Sequence, residues 1–221
     1  MKPDFLTILA ASQADRRDLF LAAATRLGTP IQNIEKDFWV CFVLDVLFND
    51  RADDEPRLLF KGGTSLSKSY GLISRFSEDI DITVFREDLA QTVSVDELEG
   101  LSGKKQRTCL DAIKLACQQY ILGPLKSRVE TRLREYLMQA GMDEKMLQVV
   151  IDAADPDRQT LLISYPSVSA ASDDYIGSMV KIEGGAKSAL DPHRLTSVRP
   201  YIADDTPQLD LAVGNITTID P

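Results

Sequence analysis

The pattern of apolar and polar positions predicts a helical N-terminal segment. Apolar side chains recur near helical spacing over Ala11–Leu27, and Gly28-Thr29-Pro30 ends that helix. Residues Ile34–Phe48 form a second, more apolar helix pattern, and its longest apolar run is interrupted by Asp45. This run is far too short to span a bilayer, so it predicts a buried helix and no membrane association.

The pattern changes to short strands beyond the acidic loop that follows this helix. Arg57–Phe60 is a short apolar run that ends at Gly62-Gly63, as a buried strand would. Thr64–Tyr70 has the composition of a helix, whereas Asp79–Val84 alternates polar and apolar positions and predicts a half-buried strand.

The second half of the chain predicts a helical insert followed by further strands. Lys104–Val150 is compatible with helix apart from breaks near Gly123-Pro124 and Gly141. Strands are predicted at Thr160–Tyr165 and Met179–Glu183. We therefore expect an α+β fold over residues 1–221 as a single domain, with a mixed, mostly antiparallel sheet, packed helices and a helical insert at about 104–150.

Composition limits the kinds of metal site and nucleic-acid surface that the protein can form. The net charge of −9 argues against a wholly basic nucleic-acid surface, and His193 as the sole histidine argues against histidine-rich zinc sites. Metal chemistry must then rest on carboxylates, which favours Mg²⁺ or Mn²⁺. Three cysteines without a CxxC pair fit a reduced cytoplasmic compartment.

Charge is unevenly distributed, because the insert is basic within an acidic chain. Leu101–Lys145 holds nine basic and five acidic residues. One interpretation is a lobe that contacts nucleic-acid phosphates through Lys104, Lys105, Arg128 and Arg132. The other, equally open, is a solvated helix face held by i,i+4 ion pairs.

The strongest chemical signal is a pair of acids on the predicted strand Asp79–Val84. Side chains at i and i+2 of a strand point to one face, so Asp79 and Asp81 are placed to share metal ions. Glu183, on another alternating strand, is the expected third carboxylate. Phosphoryl transfer uses such oxygen ligands to hold two divalent cations.

A phosphate-binding turn is expected just before these acids. Gly62 and Gly63 let the backbone approach a triphosphate closely, Ser65 adds a hydroxyl donor, and Lys68 and Arg75 are cations for the phosphate charge.

Two sequence blocks, residues 61–68 and 75–82, resemble the AbiEii/AbiGii toxin family of nucleotidyl transferases, as do the shorter segments 34–40, 180–183 and 199–202. The full set of residues expected to bind nucleotide is Gly62, Gly63, Thr64, Ser65, Lys68, Arg75, Ser77 and Lys181.

The resemblance implies a polymerase-β-like fold and Mg²⁺-dependent transfer of a nucleoside monophosphate from a nucleoside triphosphate (NTP) to a hydroxyl on RNA, tRNA first. It also implies a bacterial toxin of a type IV toxin–antitoxin or abortive infection system, with a cognate antitoxin as a possible partner. Asp79, Asp81 and Glu183 would then be both metal ligands and catalytic residues. The family's C-terminal helical region is expected to be missing from residues 1–221. Two alternatives remain open: a catalytically silent module that binds an antitoxin, and a nucleotidyltransferase acting on protein hydroxyls.

Overall fold

The computed structural model describes residues 2–74, 76–77, 79–93, 97–98, 100–169, 178–188 and 190–221. Three helices open the chain: α1 (Pro3–Ala10), α2 (Gln13–Leu27) and α3 (Ile31–Asn49). Gly28 ends α2 in the left-handed conformation, at φ 64°, which glycine adopts without steric cost. The two predicted helices are thus confirmed.

Helix α3 lies at the centre of the core. Phe38, Trp39 and Phe42 are almost fully buried, and their rings contact one another and Phe5 of α1. Large aromatic side chains at this depth bury enough apolar surface to organise the packing of the neighbouring elements.

Three acids of α3, Glu35, Asp37 and Asp45, are also buried, and each has partners in a distant segment. Glu35 accepts hydrogen bonds from the backbone N–H groups of Val168, at 2.7 Å, and Ser169, at 3.1 Å. Asp45 accepts from the backbone N–H of Lys2, at 3.0 Å. Buried carboxylates are tolerated only with such partners, so α3 ties remote parts of the chain to the core.

The described residues form a seven-stranded sheet in the order β3-β4-β5-β2-β1-β7-β6. Its strands are β1 (Leu58–Lys61), β2 (Asp79–Val84), β3 (Gln148–Ile151), β4 (Thr160–Ser164), β5 (Met179–Gly185), β6 (His193–Val198) and β7 (Val213–Ile219). The pairs β2–β5 and β1–β7 are parallel, and the other four pairs are antiparallel. This confirms the α+β class and the mixed, mostly antiparallel sheet.

Helix α4 (Gly62–Lys68) begins two residues earlier than predicted, so the Gly-Gly pair lies in its first turn. The helical insert consists of α5 (Gly103–Tyr120) and α6 (Lys126–Gln139). A π-helical turn over Ile121–Leu125 accommodates Pro124 without ending the helical path. The prediction of helix to Val150 was wrong, because Gln148–Ile151 pairs with β4 as an edge strand.

The two faces of the sheet have different environments. Ile80 and Ile82 of β2 and Ile182 of β5 are buried in the main core on the helix-covered face. On the opposite face, Leu59 packs in a small separate cluster with Phe85, Leu190 and Ile219. The polar positions of β2 and β5 therefore lie on the second, more open face.

No helix among the described residues is long and apolar enough to cross a membrane.

Candidate active site

The predicted acids come together through the parallel pairing of β2 and β5. Asp81 lies opposite Glu183 in the register, and Asp79 lies opposite Lys181. Side chains directly opposite each other on neighbouring strands point to the same face, so these four side chains share the open face of the sheet. All four are half-buried.

The surroundings of the Asp81 carboxyl group disfavour its ionised form. Burial raises the pKa of this carboxyl, and the nearby Glu183 and Asp79 carboxylates raise it further, whereas Lys61 and Lys181 lower it. Carboxylates that repel one another in this way are stabilised when a cation is added between them. Lys181 partly provides that charge, because its ammonium forms a 2.5 Å ion pair with Glu183.

The donor chemistry fits a divalent cation, since Asp79, Asp81 and Glu183 offer the oxygen ligands that Mg²⁺ prefers. Among the described residues, however, no group of three or more acidic, histidine or cysteine side chains is closely enough arranged to hold a metal ion. Glu183 is instead turned toward Lys181. The acids share one face without forming a preassembled ligand group, so the shared metal pair stays a prediction.

The Asp81 carboxylate packs directly against the backbone of Gly62. A β-carbon built on Gly62 would lie 1.9 Å from Asp81 Oδ2, and Gly62 adopts φ +76°. Both facts require glycine, the first by steric contact and the second by backbone conformation. This explains the first glycine of the Gly-Gly pair, in addition to the close phosphate approach expected from sequence.

Three of the predicted nucleotide-binding hydroxyls have partners within the protein. Thr64 Oγ1 donates to the backbone oxygen of Asp79 at 2.5 Å and lies 3.0 Å from Ser77 Oγ. Ser65 Oγ donates to the backbone oxygen of Gly62 at 2.9 Å. Thr64 and Ser65 are fully buried. In this arrangement Thr64 ties α4 to the start of β2, whereas the hydrogen bond of Ser65 stays within α4.

Lys68 lies elsewhere, and its expected role needs correction. Its side chain is 6% exposed and its ammonium forms an ion pair with Asp37 of α3, which is 2% exposed. It also donates to the backbone oxygen of Arg199, at 2.9 Å, and lies 3.9 Å from the centroid of the Tyr201 ring. These contacts occupy the cation away from the acids. Arg75, the other predicted phosphate cation, lies outside the described residues.

Sequence reasoning missed two features beside the acids. Lys61, the last residue of β1, lies opposite Asp81 in the antiparallel pair. A cleft of about 320 Å³ extends from Glu183 and Lys181 toward an acidic loop, where it is lined by Asp152, Asp155 and Asp157. The signal for Lys61 was present, because it ends a strand immediately before Gly62. The cleft depends on long-range packing that no local pattern shows.

Replacing Gly62 with alanine should separate the steric contact with Asp81 from the need for a left-handed backbone conformation. Gly71 also has positive φ, +65°, but nothing lies within 4 Å of its missing β-carbon, so Gly71→Ala is the matched control. Both variants should lose about 1–2 kcal/mol of unfolding free energy through the left-handed backbone. Only Gly62→Ala should displace Asp81 and reduce the nucleotide-induced rise in melting temperature. Equal nucleotide responses in the two variants would contradict the contact between Gly62 and Asp81.

A known protein family and a solved structure match this chain. Among solved structures, the nucleotidyltransferase toxin MenT4 from Mycobacterium tuberculosis H37Rv is similar, with a TM-score of 0.43 and 14% sequence identity. The similarity covers 91% of this chain and 54% of MenT4, so the chain spans about half the length of that protein. No curated protein matches the sequence significantly. The AbiEii family matches residues 45–219, which include the Gly-Gly turn and all three acids, and the chain therefore belongs to the AbiEii nucleotidyl transferase toxin family of type IV toxin–antitoxin systems.

Proposed function

We propose that the protein is a toxin enzyme that transfers a nucleoside monophosphate from an NTP to a hydroxyl with the help of Mg²⁺ or Mn²⁺. The observation that carries this proposal is the parallel register of β2 and β5, which places Asp81 opposite Glu183 on the open face of the sheet, with Asp79 on the same face. Membership of the AbiEii family supports the same reaction.

The proposed reaction joins the acceptor oxygen to the α-phosphorus and breaks the bond between the α-phosphorus and pyrophosphate. Asp79, Asp81 and Glu183 would hold the divalent cations, which supply positive charge for the attacking oxygen and the leaving pyrophosphate. Glu183 would also orient the attacking hydroxyl and accept its proton. Lys181, released from Glu183, is placed to contact phosphate oxygens, together with the backbone of Gly62 and Gly63. Transfer of the α-phosphate of an NTP to the acceptor tests this function.

We propose that the acceptor is RNA, with tRNA as the first candidate. The residues that contact RNA differ, however, from those expected from the sequence. Arg128 is mostly buried, pairs with Glu55 at 2.7 Å and donates to the backbone oxygen of Val46 at 2.9 Å. Arg132 pairs with Asp50 and Glu135, at 2.9 Å each. These arginines tie α6 to the end of α3 and to the loop that follows it, so they are poor candidates for phosphate contacts.

Other basic residues of the insert are also paired. Lys126 and Arg134 both contact Glu130, and Lys114 pairs with Asp157. The i,i+4 interpretation of the insert is thus right for α6. Exposed cations remain at the start of α5, where Lys104, Lys105 and Arg107 lie within its first turns. We assign the RNA phosphate contacts to these three residues.

This assignment predicts a change in the salt dependence of RNA binding. Neutralising Lys104, Lys105 and Arg107 together should reduce the slope of log affinity against log salt by about 0.7 to 0.9 per lost contact, the range from single-stranded nucleic acid to B-form duplex. Nucleotide binding should not change. The matched control is Lys145→Ala, which removes an exposed cation from the turn before β3. If the triple variant and the control have the same slope as the wild type, the RNA contacts lie elsewhere.

A protein hydroxyl is the second candidate acceptor, and the acidic cleft beside Glu183 is the observation that favours it. Asp152, Asp155 and Asp157 would repel RNA phosphates but attract a basic polypeptide. A label that appears on protein and not on RNA would support this acceptor.

The family also supports two expectations about context. A type IV toxin is paired with an antitoxin, so we expect a cognate antitoxin as a partner. We further expect the protein to act in the cytoplasm, where NTPs and tRNA are available.

A further inference from the structure

Lys61 lies beside Asp81 of the candidate site, although no sequence pattern assigned it a role. It is the last residue of β1 and lies opposite Asp81 in the antiparallel pair with β2. Opposed residues of an antiparallel pair share a face, so the Lys61 side chain projects on the same side as the Asp81 carboxylate. The next residue is Gly62, whose backbone contacts that carboxylate.

The loop after β5 positions the Lys61 ammonium. Lys61 Nζ donates to Ser188 Oγ at 3.3 Å. Two residues further along, Leu190 belongs to the same small apolar cluster as Leu59, which lies two positions before Lys61 on the same face of β1. The Lys61 side chain is half-buried. These contacts hold a cation at the border of the acids without neutralising it, since a serine hydroxyl carries no charge.

The other lysines near α4 and β5 are already engaged by carboxylates. Lys68 is paired with the buried Asp37, and Lys181 is paired with Glu183. In the part of the chain that the structure describes, Lys61 has no ion pair with a carboxylate. A cation with a neutral hydroxyl as its partner can exchange that partner for a phosphate oxygen at little cost.

We propose that Lys61, positioned by Ser188, is the lysine that binds the triphosphate of the NTP, in the role that the sequence pattern suggested for Lys68. This proposal rests on the proposed nucleotidyltransferase function and adds a substrate-binding residue to it. Lys61 is suited to the phosphates because it lies beside the metal-binding acids and at the start of the Gly-Gly turn.

The test is calorimetric binding of the α,β-methylene analogues of ATP, CTP, GTP and UTP in Mg²⁺, with the corresponding monophosphates measured alongside. Lys61→Met should weaken binding of the preferred triphosphate analogue by about 10- to 100-fold, the loss expected for one charge-assisted hydrogen bond. Monophosphate binding should change much less. Lys61→Arg should recover most of the lost affinity, and Ser188→Ala should cause a smaller loss in the same direction. Lys145→Met, which removes an exposed lysine from the turn before β3, is the charge-matched control.

Two results would overturn the proposal in distinguishable ways. If Lys61→Met binds the triphosphate analogue as tightly as the wild type while Asp79→Asn/Asp81→Asn loses it, the proposed function stands and Lys61 is not the phosphate ligand. If the wild type binds none of the four analogues, the proposed function fails together with the role of Lys61. Melting curves of each variant confirm folding. If Lys61→Met does not fold, the triphosphate affinity of Ser188→Ala tests the proposal instead, and an unchanged affinity contradicts it.

Discussion

Lys68→Met is expected to lower the unfolding free energy by about 3–5 kcal/mol, the range for removing one partner of a buried ion pair. The substitution leaves the Asp37 carboxylate buried without its cation, and burial already raises the pKa of that carboxyl. It also removes the ammonium from the Arg199 carbonyl and the Tyr201 ring. Urea unfolding monitored by circular dichroism at neutral pH measures the loss.

The matched control for this prediction is Lys114→Met, which breaks a lysine–aspartate pair at the surface. Lys114 and Asp157 are 32% and 52% exposed, so their pair should contribute less than about 1 kcal/mol. The double variant Asp37→Leu/Lys68→Met should be less destabilised than the sum of its single variants, because no buried charge is left unpaired. A Lys68→Met variant that is no less stable than Lys114→Met would show that the buried pair does not hold α3 and α4 together.

Local pattern was enough to predict the elements that hold the acids. Strict alternation over Asp79–Val84 and Met179–Glu183 gave both strands and the face of each side chain, because a strand has a period of two. The register that pairs Asp81 with Glu183 was not predictable from local pattern. It follows from a parallel pairing of segments about a hundred residues apart in the chain.

The roles of the cations could not be predicted, because each depends on a distant partner. Lys68 looked available for phosphate, but its helix directs it toward Asp37, and Arg128 and Arg132 looked like RNA contacts but bind Glu55 and Asp50. A basic residue in a sequence pattern shows its charge and not its partner. The edge strand β3 was missed for a similar reason, since its β-structure depends on pairing with β4.

Replacing both strand aspartates with asparagine is expected to reduce nucleotide transfer by at least about 1000-fold, equivalent to about 4 kcal/mol of lost transition-state stabilisation. Without ligand, Asp79→Asn/Asp81→Asn should melt at a higher temperature than the wild type. The pKa of Asp81 is raised in the folded chain, so its ionised form destabilises the fold at neutral pH, and this cost disappears as the pH falls through that raised pKa.

The ligand response of this variant separates metal binding from general stability. The wild type should be stabilised by Mg²⁺ with an NTP, by about 2.7 kcal/mol at a hundredfold excess over the dissociation constant. The aspartate double variant should lose that shift. Asp53→Asn/Asp54→Asn, in an exposed loop, removes the same charge and should keep it. A full ligand shift in Asp79→Asn/Asp81→Asn would place the metal and nucleotide site elsewhere.

The most direct measurement of the central claim is transfer of label from NTPs carrying ³²P at either the α or the γ position, with total tRNA, Mg²⁺ and the purified protein. The α-label should become attached to RNA and the γ-label should leave as pyrophosphate, because the bond broken lies between the α-phosphorus and the leaving group. The Asp79→Asn/Asp81→Asn variant should transfer neither label. Attachment of the γ-label, or equal transfer of the α-label by the wild type and this variant, would contradict nucleotidyl transfer at the acids of β2 and β5.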